Sequence, residues 1–387
     1  MGIANQTDLK NLLDLCRADL RGRAFPSNDE GWSRLMASAL NHGLVGLVYR
    51  VAATSNCISP VALLPIRSVA HQQSARSCSL VNELLEILAA FRDLNIEALT
   101  FKGPTLAMRA YGRISDREFC DLDVLIQPDE LDRASVALHR RRYRIAPKRC
   151  TIEAFDPEQE YHAIFCRNDD GAKVELHWSL NSPGERAPIG GADVWQRARP
   201  VFLADQPVLT LGIEDTLLFL CVHAFKHRWE RLKWLTDIAY LLRSGEQIDW
   251  EALILRSRQT GCYRMLLVGL NLAFSLLGCD PPLAIEKQVS ADRVARRLAD
   301  RIGSALLSDT TITGGEEIIY HLEARERFRD HFVLVFDLLL RIFRLTSEDE
   351  LPADRPLWTR FIAVFKRPAR LFRTFGLAWI KPMFRFR

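Results

Sequence analysis

The 387-residue chain has no C-x-x-C pair, no apolar run long enough to span a bilayer, and no acidic side chain after Asp354. Its nine cysteines are scattered and odd in number, which argues against a disulfide framework or a zinc ribbon and for a reducing cytoplasm. The longest apolar stretch, Met265–Cys279, contains Asn271 and falls short of the roughly 20 residues that a transmembrane helix needs. It reads as a buried helix. The opening residues Met1–Lys10 lack a basic region followed by an apolar core, so no signal peptide is expected, and Gln6 stands where myristoylation needs Ser or Thr. No Gly-rich Walker loop, G-x-S-x-G elbow or kinase H-R-D set occurs, which disfavours those phosphoryl-transfer and hydrolase classes. A cytoplasmic protein with a soluble body is expected.

What is present describes a packed globular chain. Apolar residues make up 48%, and Gly (20) and Pro (17) are too few for a disordered or collagen-like polymer. The length exceeds what one core usually serves, so two or three modules are expected. The formal charge of +4 hides an asymmetry: nine Lys/Arg fall in Arg355–Arg387, which leaves residues 1–354 at about −5. A globally basic nucleic-acid coat is thereby disfavoured.

Apolar spacing predicts helices within residues 8–55 (Leu12, Leu13, Cys16, Leu20, then Trp32, Leu35, Met36, Leu40, Leu44) and from about Val69 to Leu94. The period changes at Ile96. Ile96–Phe101 reads as a strand, broken by Lys102-Gly103-Pro104 ahead of a helix over Thr105–Tyr111. Asp121–Ile126 alternates as a strand, and Pro128 opens a helix over Asp129–Arg141. Three further strands are expected at Tyr143–Ala146, Glu160–Arg167 and Lys173–Trp178. After Asn181-Ser182-Pro183-Gly184 the pattern is mostly helical, clearest at Glu214–Trp229, Leu232–Leu242, Trp250–Thr260 and Tyr263–Leu277. The expected class is α+β, because strands do not alternate regularly with long crossovers. The expected modules are a helical region at 1–94, an α/β core at 95–183, a helical module at 184–350 and a basic aromatic tail at 351–387.

The segment Arg117-Glu-Phe-Cys-Asp121-Leu-Asp123-Val-Leu-Ile126 carries the chemistry. Alternation along a strand puts Asp121 and Asp123 on one face and Leu122, Val124 and Ile126 on the other. Two carboxylates held close stay jointly ionised only beside a compensating cation, and Mg²⁺ with phosphate oxygens is a common solution. The plain alternative is a solvated strand edge. In Lys173–Trp178, Glu175 and His177 share a face opposite Val174, Leu176 and Trp178. Beside the first strand, Glu175 becomes a third acid, as a ligand or a proton acceptor; otherwise it is a cross-strand partner of a lysine. Lys102-Gly103, at a strand-to-helix turn, suits a phosphate through backbone N–H groups and a mobile cation; alone it is an ordinary turn.

Leu99-Thr-Phe-Lys102-Gly103-Pro-Thr-Leu106-Ala107, with Tyr111, Arg117 and Asp121-Leu-Asp123-Val-Leu-Ile126, resembles the uncharacterised nucleotidyltransferase-like family of bacteria within the polymerase-β-type superfamily. Val174-Glu175-Leu-His177-Trp178 resembles that family's strand with a third acid followed by His-Trp. His223-Ala-Phe-Lys226-His227-x-Trp229 and Leu232-Lys-Trp234-Leu235-x-Asp237-Ile238-Ala239 resemble its helical signature, so the likeness covers roughly residues 30–280. The resemblance implies a small mixed β-sheet with flanking helices, Mg²⁺, and nucleotidyl transfer from an NTP. By it Asp121 and Asp123 are metal ligands and Glu175 is the third acid. Two departures stand out from the wider superfamily: Lys102-Gly103 replaces the usual Gly-Ser turn, and Glu175 replaces the usual third Asp.

His223 and His227 are i, i+4 neighbours, but Ala224 removes the general base of an H-E-x-x-H zinc site. Lys226, His227 and Arg228 are candidates to meet a triphosphate, with Asp237 pairing one of them, while Trp229 and Trp234 read as core or interface. Arg117 either neutralises the acids or meets a phosphate. His177 either hydrogen-bonds a site carboxylate or is a satisfied buried histidine. In the tail, eight aromatics (Trp358, Phe361, Phe365, Phe372, Phe375, Trp379, Phe384, Phe386) interleave with basic residues. That composition suits a helix packed on the acidic body, an anionic membrane surface, or, less well, single-stranded nucleic acid. The sequence thus supports a Mg²⁺-dependent nucleotidyltransferase with an unidentified acceptor. The alternative is a catalytically silent nucleotide-binding or adaptor protein, membrane-peripheral through its tail.

Overall fold

The computed structural model describes residues 6–146, 161–169, 171–180, 193–308, 310 and 315–332. The tail at 355–387, the Asn181–Gly184 break and the expected strand start at Glu160 lie outside them. Contacts divide the chain into two units, one of Met1–Ala146 and Pro157–Thr311, the other of Pro147–Asp156 and Ile312–Arg387. Within the second unit the described part is a helix at Gly315–Glu323 and the residues after it, where Tyr320 and Ala324 are buried.

The first unit begins with helices α1 (Gln6–Leu20), α2 (Asp29–His42) and α3 (Val45–Ala53). Asn28 caps α2 by accepting from the Gly31 N–H, and Gly43 ends it in the left-handed region at φ 71°. Helix α4 runs from Pro60 to Asp93, capped by Ser59, and so starts nine residues earlier than the apolar spacing predicts. Pro60 sits at the helix start, where a missing N–H costs nothing, and Pro65 is accommodated inside the helix. At its far end, Glu83 accepts from Arg167 Nη2 (2.8 Å), Arg141 Nη2 (3.0 Å) and Tyr143 Oη (3.1 Å), tying α4 to the strands beside it.

Strand β1 (Ala98–Thr100) leads through Lys102 into α5 (Gly103–Leu106), which continues as a π-helical turn over Ala107–Tyr111. Strand β2 (Leu122–Ile126), helix α6 (Leu131–Arg140) and strands β3 (Arg144–Ile145), β4 (His162–Cys166) and β5 (Lys173–His177) follow within a residue or two of expectation. After a short helix, α7 (Asp193–Gln196), comes a departure. Residues read as helical territory form a hairpin of β6 (Arg199–Leu203) and β7 (Gln206–Thr210). Its turn residues Ala204 and Asp205 both have positive φ (45° and 61°), a geometry usually signalled by Asn-Gly. Pro200 and Pro207 obscured the strand pattern further.

The seven strands form one mixed sheet in the order β3-β4-β5-β2-β1-β7-β6. The pairs β2–β5 and β1–β7 are parallel, and β1–β2, β3–β4, β4–β5 and β6–β7 are antiparallel. Every residue of β2 is buried, as its central position requires. Helices α8 (Ile213–Lys226), α9 (Leu232–Leu242), α10 (Trp250–Thr260), α11 (Tyr263–Leu277), α12 (Leu283–Ala291) and α13 (Arg293–Leu307) complete the unit. The apolar run at α11 is core as expected: Met265–Leu270, Leu272, Ala273 and Leu277 are buried in it. The protein is α+β, a mixed sheet flanked by helices. Among the described residues no helix is long and apolar enough to cross a membrane.

Candidate active site

The register of β2 against β5 makes the site. Parallel pairing sets Asp123 directly beside Glu175 and Leu125 beside His177, and adjacent strands lie about 4.8 Å apart. Alternation puts Asp121, Asp123, Lys173, Glu175 and His177 on one face, which opens into a cavity of about 390 Å³. Its wall also carries Lys102, Gly103 and Arg117, and Lys226 and His227 from the end of α8. All eight residues expected from the sequence therefore line one cavity. The volume lies within the usual range for small-molecule sites.

The acids are tightly paired. Lys102 Nζ lies 2.6 Å from Asp123 Oδ1, and Lys173 Nζ lies 2.6 Å from Glu175 Oε1 and 3.6 Å from Asp121 Oδ2. His177 Nε2 stands 3.3 Å from Asp123 Oδ1 and 3.7 Å from Glu175 Oε2. Burial by itself opposes ionisation of Asp123, but Lys102 and His177 hold its carboxyl below the ordinary range. Burial is likewise outweighed at Glu175, where His177, Lys173 and Lys102 hold the carboxyl far down. Asp121 goes the other way: burial, then the charges of Asp123 and Glu175, raise it. Lys102 stays protonated because the three acids outweigh its own burial.

Gly103 takes φ +53°, the left-handed region, and a Cβ there would meet the Asp121 carbonyl oxygen at 3.4 Å. The turn thus needs glycine to bring Lys102 onto Asp123. Thr105 Oγ1 donates to the Lys102 carbonyl at 2.9 Å and fixes the turn from behind.

Arg117 is buried. Its Nε and Nη2 donate to Asp237 Oδ1 and Oδ2 at 2.7 and 2.9 Å, and Tyr111 Oη donates to Oδ1 at 2.9 Å. The expectation that Asp237 pairs with Lys226, His227 or Arg228 is corrected. Asp237 pairs with Arg117 and not with Lys226, His227 or Arg228, and the guanidinium edge suited to a phosphate faces Asp237. Lys226 Nζ donates to Tyr161 Oη at 3.1 Å, and both residues line the cavity. His227 and His223 are neighbouring rings (4.7 Å), and both face Trp234, at 5.3 and 5.9 Å. Trp229 is core, whereas Trp234 is half-buried on the cavity wall.

Sequence reasoning passed over Lys173, Tyr161 and His162. Lys173 was legible, since it sits two residues before Glu175 on the same face. His162 depends on the β4–β5 register, which sets it opposite His177 with the rings stacked at 5.0 Å and 17°. Burial, then His177, pushes the His162 ring down to about 4.

Asp123, Glu175 and His177 each offer one donor atom, all within 4.8 Å of one another. Asp123 Oδ1 and both ring nitrogens of His177 are buried without an aligned hydrogen bond. Two carboxylates and an imidazole at this spacing fit a divalent cation. Asp121, with its side chain 28% exposed, stands at the rim beside them.

A model of the family described as uncharacterised nucleotidyltransferase matches residues 28–278. No curated protein matches the chain. Among solved structures, the solution structure of the antibiotic-resistance factor ANT(2'')-Ia matches with 17% identity and a TM-score of 0.34, over 47% of this chain and 93% of that one.

Proposed function

Because the chain belongs to the family of uncharacterised nucleotidyltransferases, we propose that this cavity transfers a nucleotidyl group from an NTP to an acceptor oxygen, with Mg²⁺ as cofactor. The observation that carries the reading is the β2–β5 register, which sets Asp123 beside Glu175 in a cavity rimmed by Lys102 and Lys226. Asp123 and Glu175 would hold the ion. Bound there, Mg²⁺ would neutralise charge building on the α-phosphate. Lys102, leaving Asp123, and Lys226 with His227 receive the phosphates at the Gly103 turn. The acceptor oxygen bonds to the α-phosphorus while the bond to pyrophosphate breaks. The acceptor's proton passes to Asp121, the carboxylate of the same face that stands beside the proposed ligands and is partly open to solvent. Arg117 acts as a positioning residue through Asp237.

A second reading, a silent nucleotide-binding or adaptor protein, draws on one observation: Lys102 and Lys173 already neutralise the acids without an ion. Calorimetry with NTP and Mg²⁺, and pyrophosphate release across an acceptor screen, separate the two. The enzyme reading expects metal-dependent binding and pyrophosphate release, both lost in Asp123→Asn. Metal-independent binding unchanged in that variant, with no pyrophosphate released, overturns it.

A further inference from the structure

His177 stands in the acid cluster, and the reaction above does not explain its place. It is 5% exposed, and neither ring nitrogen has an aligned hydrogen bond. The ring is held by packing: Phe101 meets it edge-on at 5.0 Å, and His162 stacks on its other side at 5.0 Å. That clamp aims Nε2 between Asp123 and Glu175. A protonated imidazole is not needed there as a counter-charge, because Lys102 already lies on Asp123 and Lys173 on Glu175. A buried imidazole with open nitrogens, aimed at two carboxylates whose charge is already met, is placed as a donor.

We infer that His177 is the third ligand of the divalent-metal site formed with Asp123 and Glu175, and that its imidazole makes the site favour Mn²⁺ over Mg²⁺. The inference rests on the metal-dependent reading above. Neighbouring donors around a six-coordinate ion at about 2.1 Å lie roughly 3 Å apart. His177 Nε2 stands at 3.3 and 3.7 Å from the two carboxylate oxygens, close to that spacing before any ion draws them in. Mg²⁺ takes oxygen ligands almost exclusively, whereas first-row transition ions accept imidazole, and Mn²⁺ retains the carboxylate affinity that the other two ligands need.

Mn²⁺ alone, added to the metal-free full-length protein, tests this by electron paramagnetic resonance. The expected result is one bound Mn²⁺ with a nitrogen coupling in the electron spin echo, which switches isotope when the protein carries ¹⁵N-histidine. His177→Gln should lose that coupling and weaken binding at least about tenfold, the scale already set by outer-shell partners. His162→Gln should keep it. Mg²⁺ at equal concentration should leave Mn²⁺ on the wild type and displace it from His177→Gln. The isotope readout on wild type needs no folded variant. Mn²⁺ binding that depends on Asp123 but shows no nitrogen coupling overturns the role of His177 and leaves the metal reading standing. A coupling that persists in His177→Gln overturns it equally. No Mn²⁺ binding by wild type overturns both.

Discussion

The buried pair between Arg117 and Asp237 should dominate the response of this fold to a single charge change. Asp237 is 0% exposed and Arg117 5%, and the pair is joined by two donors at 2.7 and 2.9 Å. Asp237→Asn keeps the shape but leaves a guanidinium buried without its counter-charge, which costs about 3–5 kcal/mol. For a unit of about 300 residues, at roughly 1.6 °C per kcal/mol, thermal unfolding should fall by about 5–8 °C. Arg117→Met is expected to cost a similar amount, because it strands the carboxylate. The double variant Arg117→Met/Asp237→Leu removes both charges and should recover most of the loss, ending within about 2 kcal/mol of wild type. Scanning calorimetry of all four proteins measures the coupling. Nucleotide affinity in the double variant then tells positioning from phosphate contact, with retention within about threefold expected for a positioning Arg117. A shift below about 2 °C for Asp237→Asn would refute the reasoning, since it would mean that the pair is solvated or replaced in solution.

Other outcomes follow from the same geometry. A Cβ at Gly46 would sit 1.6 Å from the Ser115 carbonyl oxygen, so Gly46→Ala should cost about 1–3 kcal/mol by overpacking and lower the melting temperature; unchanged melting contradicts the close approach. The depressed His162 takes up its proton in the unfolded chain near pH 6.5 but in the folded protein only near 4. Its stabilising contribution is therefore complete above about pH 6.5 and declines as pH falls towards 4, by up to about 3 kcal/mol. Melting curves across that range should be flatter for His162→Gln, and identical slopes would exclude the effect. Gly103→Ala forces a side chain into φ +53° and should cost about 1–2 kcal/mol while weakening NTP binding in calorimetry. For the tail, sedimentation with anionic vesicles should show full-length protein bound and a 1–354 truncation free; equal binding ends the membrane reading.

Much of the site was legible because it is built from periodicity-two segments. Asp121 with Asp123, and Glu175 with His177, share a face whatever the fold, since alternation is a property of the strand alone. The helices α9, α10 and α11 were legible to the residue for a related reason: their apolar stripes and flanking caps are local. The β6–β7 hairpin was not, because its turn uses Ala204 and Asp205 in a conformation that neither residue advertises, required by the two-residue connection between the paired Leu203 and Gln206. The helix start at Pro60 was missed because the first turns of α4 carry no buried apolar stripe, with Val61 and Leu64 exposed.

The sequence by itself determined which side chains could act together within a strand, the acidic character of the face, and the glycine-dependent turn at Lys102-Gly103. Only the tertiary structure decided that Asp123 stands beside Glu175, that Lys102 and Lys173 pair with them, and that Arg117 turns to Asp237, 120 residues away. The division has a physical cause. Alternation and helical period are set by backbone geometry over a few residues. Strand register and long-range ion pairing are set by which apolar faces must be buried together, and no short window of sequence encodes that choice.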